Sequence, residues 1–259
     1  HKKMSKSKGN VVTPMGILEK YGSDAVRYWA ASARLGLDAA FDEQQMKIGR
    51  RLAIKVLNAS KFALTMGGEG AAIDLDPALV TVPLDRSVLA ALASVIDEAS
   101  AALASYEHSR ALEVTESFFW TFCDDYLELV KERAYNREGA WDGASAASAR
   151  AALALVIDTV VRLLAPYLPF VTEEVWSWYR TGSVHRSPWP RAEGLRGAAA
   201  GADADLVERA GLVLAALRKV KSEARTSQKT PILTVGLAVS ARIAPAVEAV
   251  RADLIEAAK

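Results

Sequence analysis

The sequence holds one cysteine, Cys123, and three histidines, His1, His108 and His185. A single thiol cannot close an internal disulfide or build a cysteine-rich zinc site, and such sparing use fits a reducing cytosol. The histidines are scattered and form no His/Asp/Glu cluster, so no metal centre is expected. Cys123 sits in the aromatic stretch FFWTFCDDYLELV and reads as a small core residue, not a nucleophile. Asp124 and Asp125 are adjacent, so on a helix they point different ways and make no acid/base pair. No P-loop, G-x-S-x-G elbow or G-x-G-x-x-G turn occurs in the 259 residues. The chain thus lacks a self-contained catalytic constellation. No uninterrupted apolar run reaches the ~18 residues of a membrane span. The basic start is not followed by an apolar segment, so no signal peptide is expected. The formal net charge is +1, so a nucleic-acid site has to be a local patch and not a global field. There is no initiator methionine, and a piece of a longer protein is expected, with His1 as a tag remnant.

Acid is also missing from the start. The chain opens HKKMSKSKGNVVTP, and the first carboxylate is Glu19. Lys2, Lys3, Lys6 and Lys8 cannot all be buried, because unpaired ammonium groups are costly to desolvate. Ser5 and Ser7 offer hydroxyl donors, and Gly9 lets a backbone approach a ligand closely. The group suits a loop wrapped around phosphates, with lysines as point charges. A solvated basic tail has the same composition, and on these residues alone both readings stand.

What the chain does have is helical periodicity. Thr13 and Pro14 open a short helix that stops near Gly22, and Ser23 caps a second. Asp42, with Gln45 three residues on, opens a long helix from about 43 to 66, which Gly67 and Gly68 end. Further helices are expected over about 84–106, 107–135 and 146–164. The last breaks at Pro166 and Pro169 and resumes through VTEEVWSWY. Four long helices with short links predict a mainly α fold, an antiparallel helix bundle over 42–190. Beyond it, GLRGAAAGA reads as a flexible linker and 203–227 as a helix. ILTVGLAVS alternates and is β-branched, so it reads as a strand. A final helix spans about 244–257. The expected division is 1–41, then the bundle at 42–190, then a small, incomplete α/β subdomain at 191–259.

The helix over 43–66 carries a second signal. At 100° per residue Ile48, Leu52, Val56, Ala59, Ala63 and Met66 form one apolar face, the expected core. Arg51, Lys55, Asn58 and Phe62 form another stripe, at spacing four, three and four. Such a stripe can meet a phosphate with charge, read a base edge with an amide and stack a ring on an unpaired base. A solvated face with one Phe tucked against a neighbour gives the same pattern.

Lys3, Met4, Ser5, Lys6 and Ser7 read KMSKS, and this segment resembles the signature of class I aminoacyl-tRNA synthetases. The likeness continues through KGNVVTPMGILEKYGSDAVRYWAASA, which is similar to the segment after that signature in the valine, isoleucine and leucine enzymes. FDEQQMKIGRRLAIKVLNASKFAL, FFWTFCDDYLELVKERAY and LLAPYLPFVTEEVW are most similar to the valine branch. No cysteine cluster near the end supports an isoleucine enzyme with a terminal zinc site. The resemblance implies a ligase that activates valine with ATP, with Mg as phosphate counter-ion, and attaches it to tRNA(Val). It implies that Lys3, Met4, Ser5, Lys6 and Ser7 bind ATP, with Lys3 and Lys6 catalytic and Lys6 the more direct. Residues 1–41 would be the KMSKS loop and stem-contact segment, and the bundle would be the anticodon-binding domain. Arg51, Lys55, Asn58, Lys61 and Phe62 become the expected tRNA contacts. A monomeric, cytoplasmic enzyme without membrane contact is implied. The nucleotide-binding catalytic domain with its HIGH motif, the editing domain and a C-terminal coiled-coil arm would lie outside this chain, which alone should be inactive. A stand-alone RNA-binding module and a helical interaction protein with a basic tail are the readings from other classes.

Overall fold

A computed structural model describes residues 13–68, 72–137, 139–241 and 243–259, together with Ser7 and Gly9. Its described residues contain helices and no strand. In order the helices are α1 (Pro14–Tyr21), α2 (Ser23–Ser32), α3 (Glu43–Thr65), α4 (Pro83–Ala104), α5 (His108–Thr121) and α6 (Leu127–Tyr135). Then come α7 (Gly143–Leu164), α8 (Pro169–Ser177), α9 (Glu193–Ala198), α10 (Leu206–Glu223), α11 (Ala244–Ala249) and α12 (Arg251–Ala258). By packing, the chain divides into two units. One gathers residues 1–60, 98–115 and 160–189, and the other 61–97, 116–159 and 190–259.

In the first unit the start of α3 packs on α1 and α2 through Tyr21, Ala25 and Met46, flanked by Ile17, Val26, Trp29 and Phe41. Asp42 caps α3 as expected: its carboxylate accepts from the Gln44 and Gln45 N–H groups at 2.8 and 3.4 Å. Gly22, at φ 86°, closes α1 and precedes α2, so Ser23 is the first residue of α2 and not its cap. Gly49 is buried with its Cα turned to the Tyr28 side chain, where an added Cβ would sit 2.5 Å from the Tyr28 Cβ. The Asp24 carboxylate accepts from the N–H groups of Phe170 and Val171, at 3.1 and 2.8 Å. It thereby caps α8, whose own preceding residue, Leu168, has no side chain that could do so. Arg27 adds a 2.8 Å bond to the Pro166 carbonyl. One acidic and one basic residue of α2 thus hold the proline-rich bend before α8.

The second unit is organised around a buried guanidinium. Arg133, 1% exposed, uses all five of its N–H groups. It donates to both oxygens of Asp85 at 2.8 Å, to both oxygens of Asp253 at 2.8 and 3.3 Å, and to the Ser145 carbonyl at 2.9 Å. Asp85 also accepts from the Tyr126 hydroxyl at 2.8 Å and the Ser148 hydroxyl at 2.6 Å. The Ser148 oxygen in turn receives the Thr81 and Val82 N–H groups. The network ties α4, α6, α7 and α12 together. Burial pushes the Asp253 carboxyl above its usual range, with Arg133 pulling the other way. Burial and the nearby Asp85 charge raise the Tyr126 hydroxyl.

Several expectations need correction. The helix expected over 107–135 is interrupted by one wide, π-type turn at Phe122–Tyr126. That turn stacks Phe119, Phe122 and Tyr126 at centroid distances of 6.2 and 5.9 Å and buries Cys123. The expected strand ILTVGLAVS has no regular structure, so the α/β subdomain is not formed among the described residues. Leu233 is 93% exposed, and Val235, Leu237 and Val239 are about 40% exposed. A period-2 segment with no neighbouring strand has no ladder to join, and alternation alone cannot supply one. The linker GLRGAAAGA contains α9, which buries Leu195 and is fixed by Arg86, whose Nε donates to the Ala198 carbonyl at 3.0 Å. The final helix is two, separated at the buried Val250. By length and composition α4 is long and apolar enough to cross a membrane, although Asp85, Arg86, Asp97 and Glu98 interrupt any apolar run in it. Its Leu84, Val88, Leu89, Leu92 and Ile96 are buried in the core.

Arg133→Met should lower folding stability by about 3–5 kcal/mol, because it leaves two buried carboxylates facing each other. A urea midpoint unchanged from the parent would show that the network does not anchor this unit.

Candidate nucleic-acid interface

The start of α3 is fixed by charge. Glu43 receives Lys20 at 2.7 Å and also the Tyr21 hydroxyl. The bonds from Lys20 and then Tyr21 lower the Glu43 carboxyl, and Lys20 is raised first by its bond to Glu43 and then by Tyr21. Arg50 donates to the Lys20 carbonyl at 2.6 Å, completing the last turn of α1 from the side. Arg50 is therefore a structural residue, consistent with its place off the stripe.

The apolar face of α3 falls where its periodicity puts it: Leu52, Val56, Ala59, Ala63 and Met66 are buried, and Ile48 is half-buried. Met46, Gly49 and Ser60 are buried as well. On the other face Arg51 and Asn58 are exposed, Lys55 is half-buried and Lys61 is exposed. Phe62 is half-buried. Its ring stands edge-on to Tyr135, at the end of α6, with centroids 5.5 Å apart and planes at 85°. The Arg137 guanidinium lies 4.3 Å from the centre of the same Tyr135 ring. Lys3, Met4, Ser5 and Lys6 lie outside the described residues, and Ser7 is exposed.

Sequence reasoning missed Tyr135 and Arg137. They sit where α6 ends at Asn136, whose left-handed backbone (φ 43°) is held by its own side chain. Asn136 Oδ1 accepts from the Trp141 N–H at 3.0 Å, and its Nδ2 donates to the Trp141 carbonyl at 2.9 Å. A hollow of about 490 Å³ opens beside this turn, lined by Lys131, Arg137, Trp141 and Lys229 among others. The available signal was compositional: YNREGAW places two aromatics and a cation around an Asn helix stop. Nothing in it showed that Phe62, over seventy positions earlier, packs on the same spot.

The helical part of the chain from α4 onward matches a known domain. Residues 85–237 match the family described as anticodon-binding domain of tRNA ligase, and the chain belongs to that family. Residues 1–42 match tRNA synthetases class I (I, L, M and V). Among relatives, a valine--tRNA ligase of Bifidobacterium longum is 56% identical over 100% of the chain, which covers 30% of that protein. One of Thermobifida fusca is 60% identical over 89% of the chain and 26% of its own length. One of Cutibacterium acnes is 52% identical over 100% of the chain and 29% of its own length. The chain therefore spans less than a third of the relatives it matches. Among solved structures, the LeuRS chain in a ternary complex with tRNA and LeuAMS from Agrobacterium radiobacter K84 aligns with TM-score 0.58 over 74% of this chain and 22% of that one. At 22% identity this likeness shows the shared fold.

Phe62→Ala should lower folding stability by about 1–3 kcal/mol, since the half-buried ring leaves Tyr135 without its edge contact. Phe62→Leu should lose less. An unfolding midpoint that does not move in Phe62→Ala would mean that the Tyr135 contact contributes nothing.

Proposed function

We propose that this chain is the KMSKS-loop and anticodon-binding part of a valine--tRNA ligase, the enzyme that activates valine with ATP and joins it to tRNA(Val). The observation that carries the reading is the order and extent of the likeness. Relatives named valine--tRNA ligase match the whole chain at more than half identity, with the class I segment first and the anticodon-binding segment after it. In this reading residues 1–41 end the catalytic domain, 42–190 bind the anticodon region, and 191–259 form the C-terminal part. The enzyme acts as a monomer in the cytoplasm.

The chemistry asked of the opening loop is electrostatic. When the valine carboxylate attacks the ATP α-phosphorus, negative charge grows on the leaving pyrophosphate. A positioned ammonium at Lys6, helped by Lys3, stabilises that charge more in the transition state than in the bound ground state. Met4, Ser5 and Ser7 complete the ATP-contacting loop. Mg accompanies the phosphates, and none of this chain's residues is assigned to hold it. On the tRNA side Arg51, Lys55 and Lys61 meet phosphates, Asn58 reads a base edge, and Phe62 offers a ring to an anticodon base. Tyr135 and Arg137 limit that ring to the area their contact leaves open. Phe62 thus enters the RNA site already oriented, at little further cost in side-chain entropy.

In the full-length enzyme, Lys6→Ala should slow valine-dependent ATP–pyrophosphate exchange by ~10²-fold in kcat, on the scale of losing one preorganised donor. Lys8→Ala should do less. A loss confined to KM would remove Lys6 from the transition state, and exchange driven by leucine or isoleucine instead of valine would refute the assignment of substrate.

Lys55→Ala should weaken binding to all tRNAs alike, and the slope of log K against log salt should fall by about 0.7–0.9. Unchanged affinity in an Arg51→Ala, Lys55→Ala double variant would take α3 out of the RNA interface.

A further inference from the structure

Helix α4 ends in a paired carbonyl clasp. The Glu107 N–H donates to the Ala102 carbonyl at 2.8 Å, and the Tyr106 N–H donates to the Leu103 carbonyl at 3.0 Å. This arrangement needs a left-handed residue at the position of Tyr106, where glycine is the usual occupant. Tyr106 adopts φ 62° there. A bulky residue in that region is strained, because its Cβ crowds the following carbonyl. Packing does not offset the strain: Tyr106 is 80% exposed, against 64% for Phe170 and 39% for Trp178. Among the described residues the other two non-glycine positions with positive φ are Asn136, which its own side chain holds, and Arg225. Folding alone would favour glycine at 106, so the ring is held out for something that is not in this chain's core.

The surroundings say what that is. Tyr106 lines a hollow of about 350 Å³ with Arg34, Leu35, Glu107, Arg110 and Glu113. Arg110 is already paired with Glu98 and, at 3.2 Å, with Glu113. The cations and acids of the hollow balance, which makes it a poor track for a run of phosphates. Leu35, 70% exposed, adds apolar surface, and the exposed Arg34 guanidinium adds one cation at the side. A flat, apolar-faced group carrying a single nearby negative charge fits this set. In a domain of the anticodon-binding family that group is one unstacked nucleotide.

We propose that Tyr106 is a stacking platform for an unpaired base of the bound tRNA, separate in sequence from the α3 stripe, with Arg34 meeting that nucleotide's phosphate. The proposal rests on the tRNA-ligase reading above. It carries an unusual signature, because stability and binding should move in opposite directions at one residue. Tyr106→Gly removes the left-handed strain and the ring together, so the melting temperature of the full chain should rise by about 2–4 °C. Its affinity for a transcribed tRNA(Val) should fall by about 5- to 100-fold. Tyr106→Phe, which keeps the ring, should bind within about twofold of the parent. A fully paired RNA duplex should bind the Gly variant and the parent alike, since it offers no free base.

Tyr106→Gly binding tRNA as well as the parent, while the Arg51→Ala, Lys55→Ala double variant loses affinity, would overturn the platform and leave the α3 interface standing. No tRNA binding by the unsubstituted chain would overturn both. A fall in melting temperature for Tyr106→Gly would mean that the ring packs on protein, and would overturn the proposal as well.

Discussion

Arg133 is the interaction on which one half of the structure depends. A guanidinium has five N–H groups in a fixed plane, and burial without partners for all of them is prohibitively costly. Here all five are satisfied, four of them by two carboxylates that are themselves buried. Burial pushes the Asp253 carboxyl up, the Asp85 charge adds a smaller push in the same direction, and Arg133 opposes both. The geometry allows one arrangement of α4, α6, α7 and α12, because both Asp side chains must lie in the guanidinium plane. Apolar packing around it could tolerate small slips, whereas the bidentate pairs cannot. The second tie in this unit has the same character: Lys221, buried, donates to the Gln228 and Ala258 carbonyls at 2.9 Å and so holds the end of α12.

The other unit is held by smaller polar contacts at helix ends. Asp24 caps α8 from a distant part of the sequence, Arg50 serves the last turn of α1, and Asp42 caps α3. Each satisfies backbone groups that a helix terminus necessarily leaves open. The last two fix where α3 begins and how it is rotated, which decides which of its side chains face outward. The tRNA-facing role assigned to Arg51, Lys55 and Asn58 needs that rotation. The contacts at its start, and its buried Leu52 and Val56, hold the opposite side inward.

Aromatic residues divide between two tasks. Phe119, Phe122 and Tyr126 stack inside the second unit, and the π-type turn is what brings them into one column. Phe62, Tyr135 and Tyr106 stay wholly or partly at the surface. Surface aromatics in a domain of this family are candidates for stacking with bases, since a ring offers a large flat area at low cost in side-chain entropy.

The sequence by itself placed most of the helices, though not the wide turn between α5 and α6, α9, or the break at Val250. The 3.6-residue period, Asp42, Gly22 and Gly67–Gly68 are local signals, and α1 to α8 lie close to where those signals place them. It also determined family membership, because KMSKS and the segments after it are patterns of residue identity. Tertiary structure decided the rest. Arg133, Asp85 and Asp253 are ordinary charged residues in sequence, and 48 and 120 positions separate Arg133 from its two partners. The ILTVGLAVS segment alternates like a strand, yet strand pairing is a property of two segments and no second one lies beside it among the described residues. Phe62 looked free to stack, and Tyr135 limits it through a contact that no spacing in the sequence records. Local periodicity encodes what a chain does with its neighbours a few residues away. Burial of charge, strand pairing and ring contacts depend on which distant segments meet, and only the folded chain settles that.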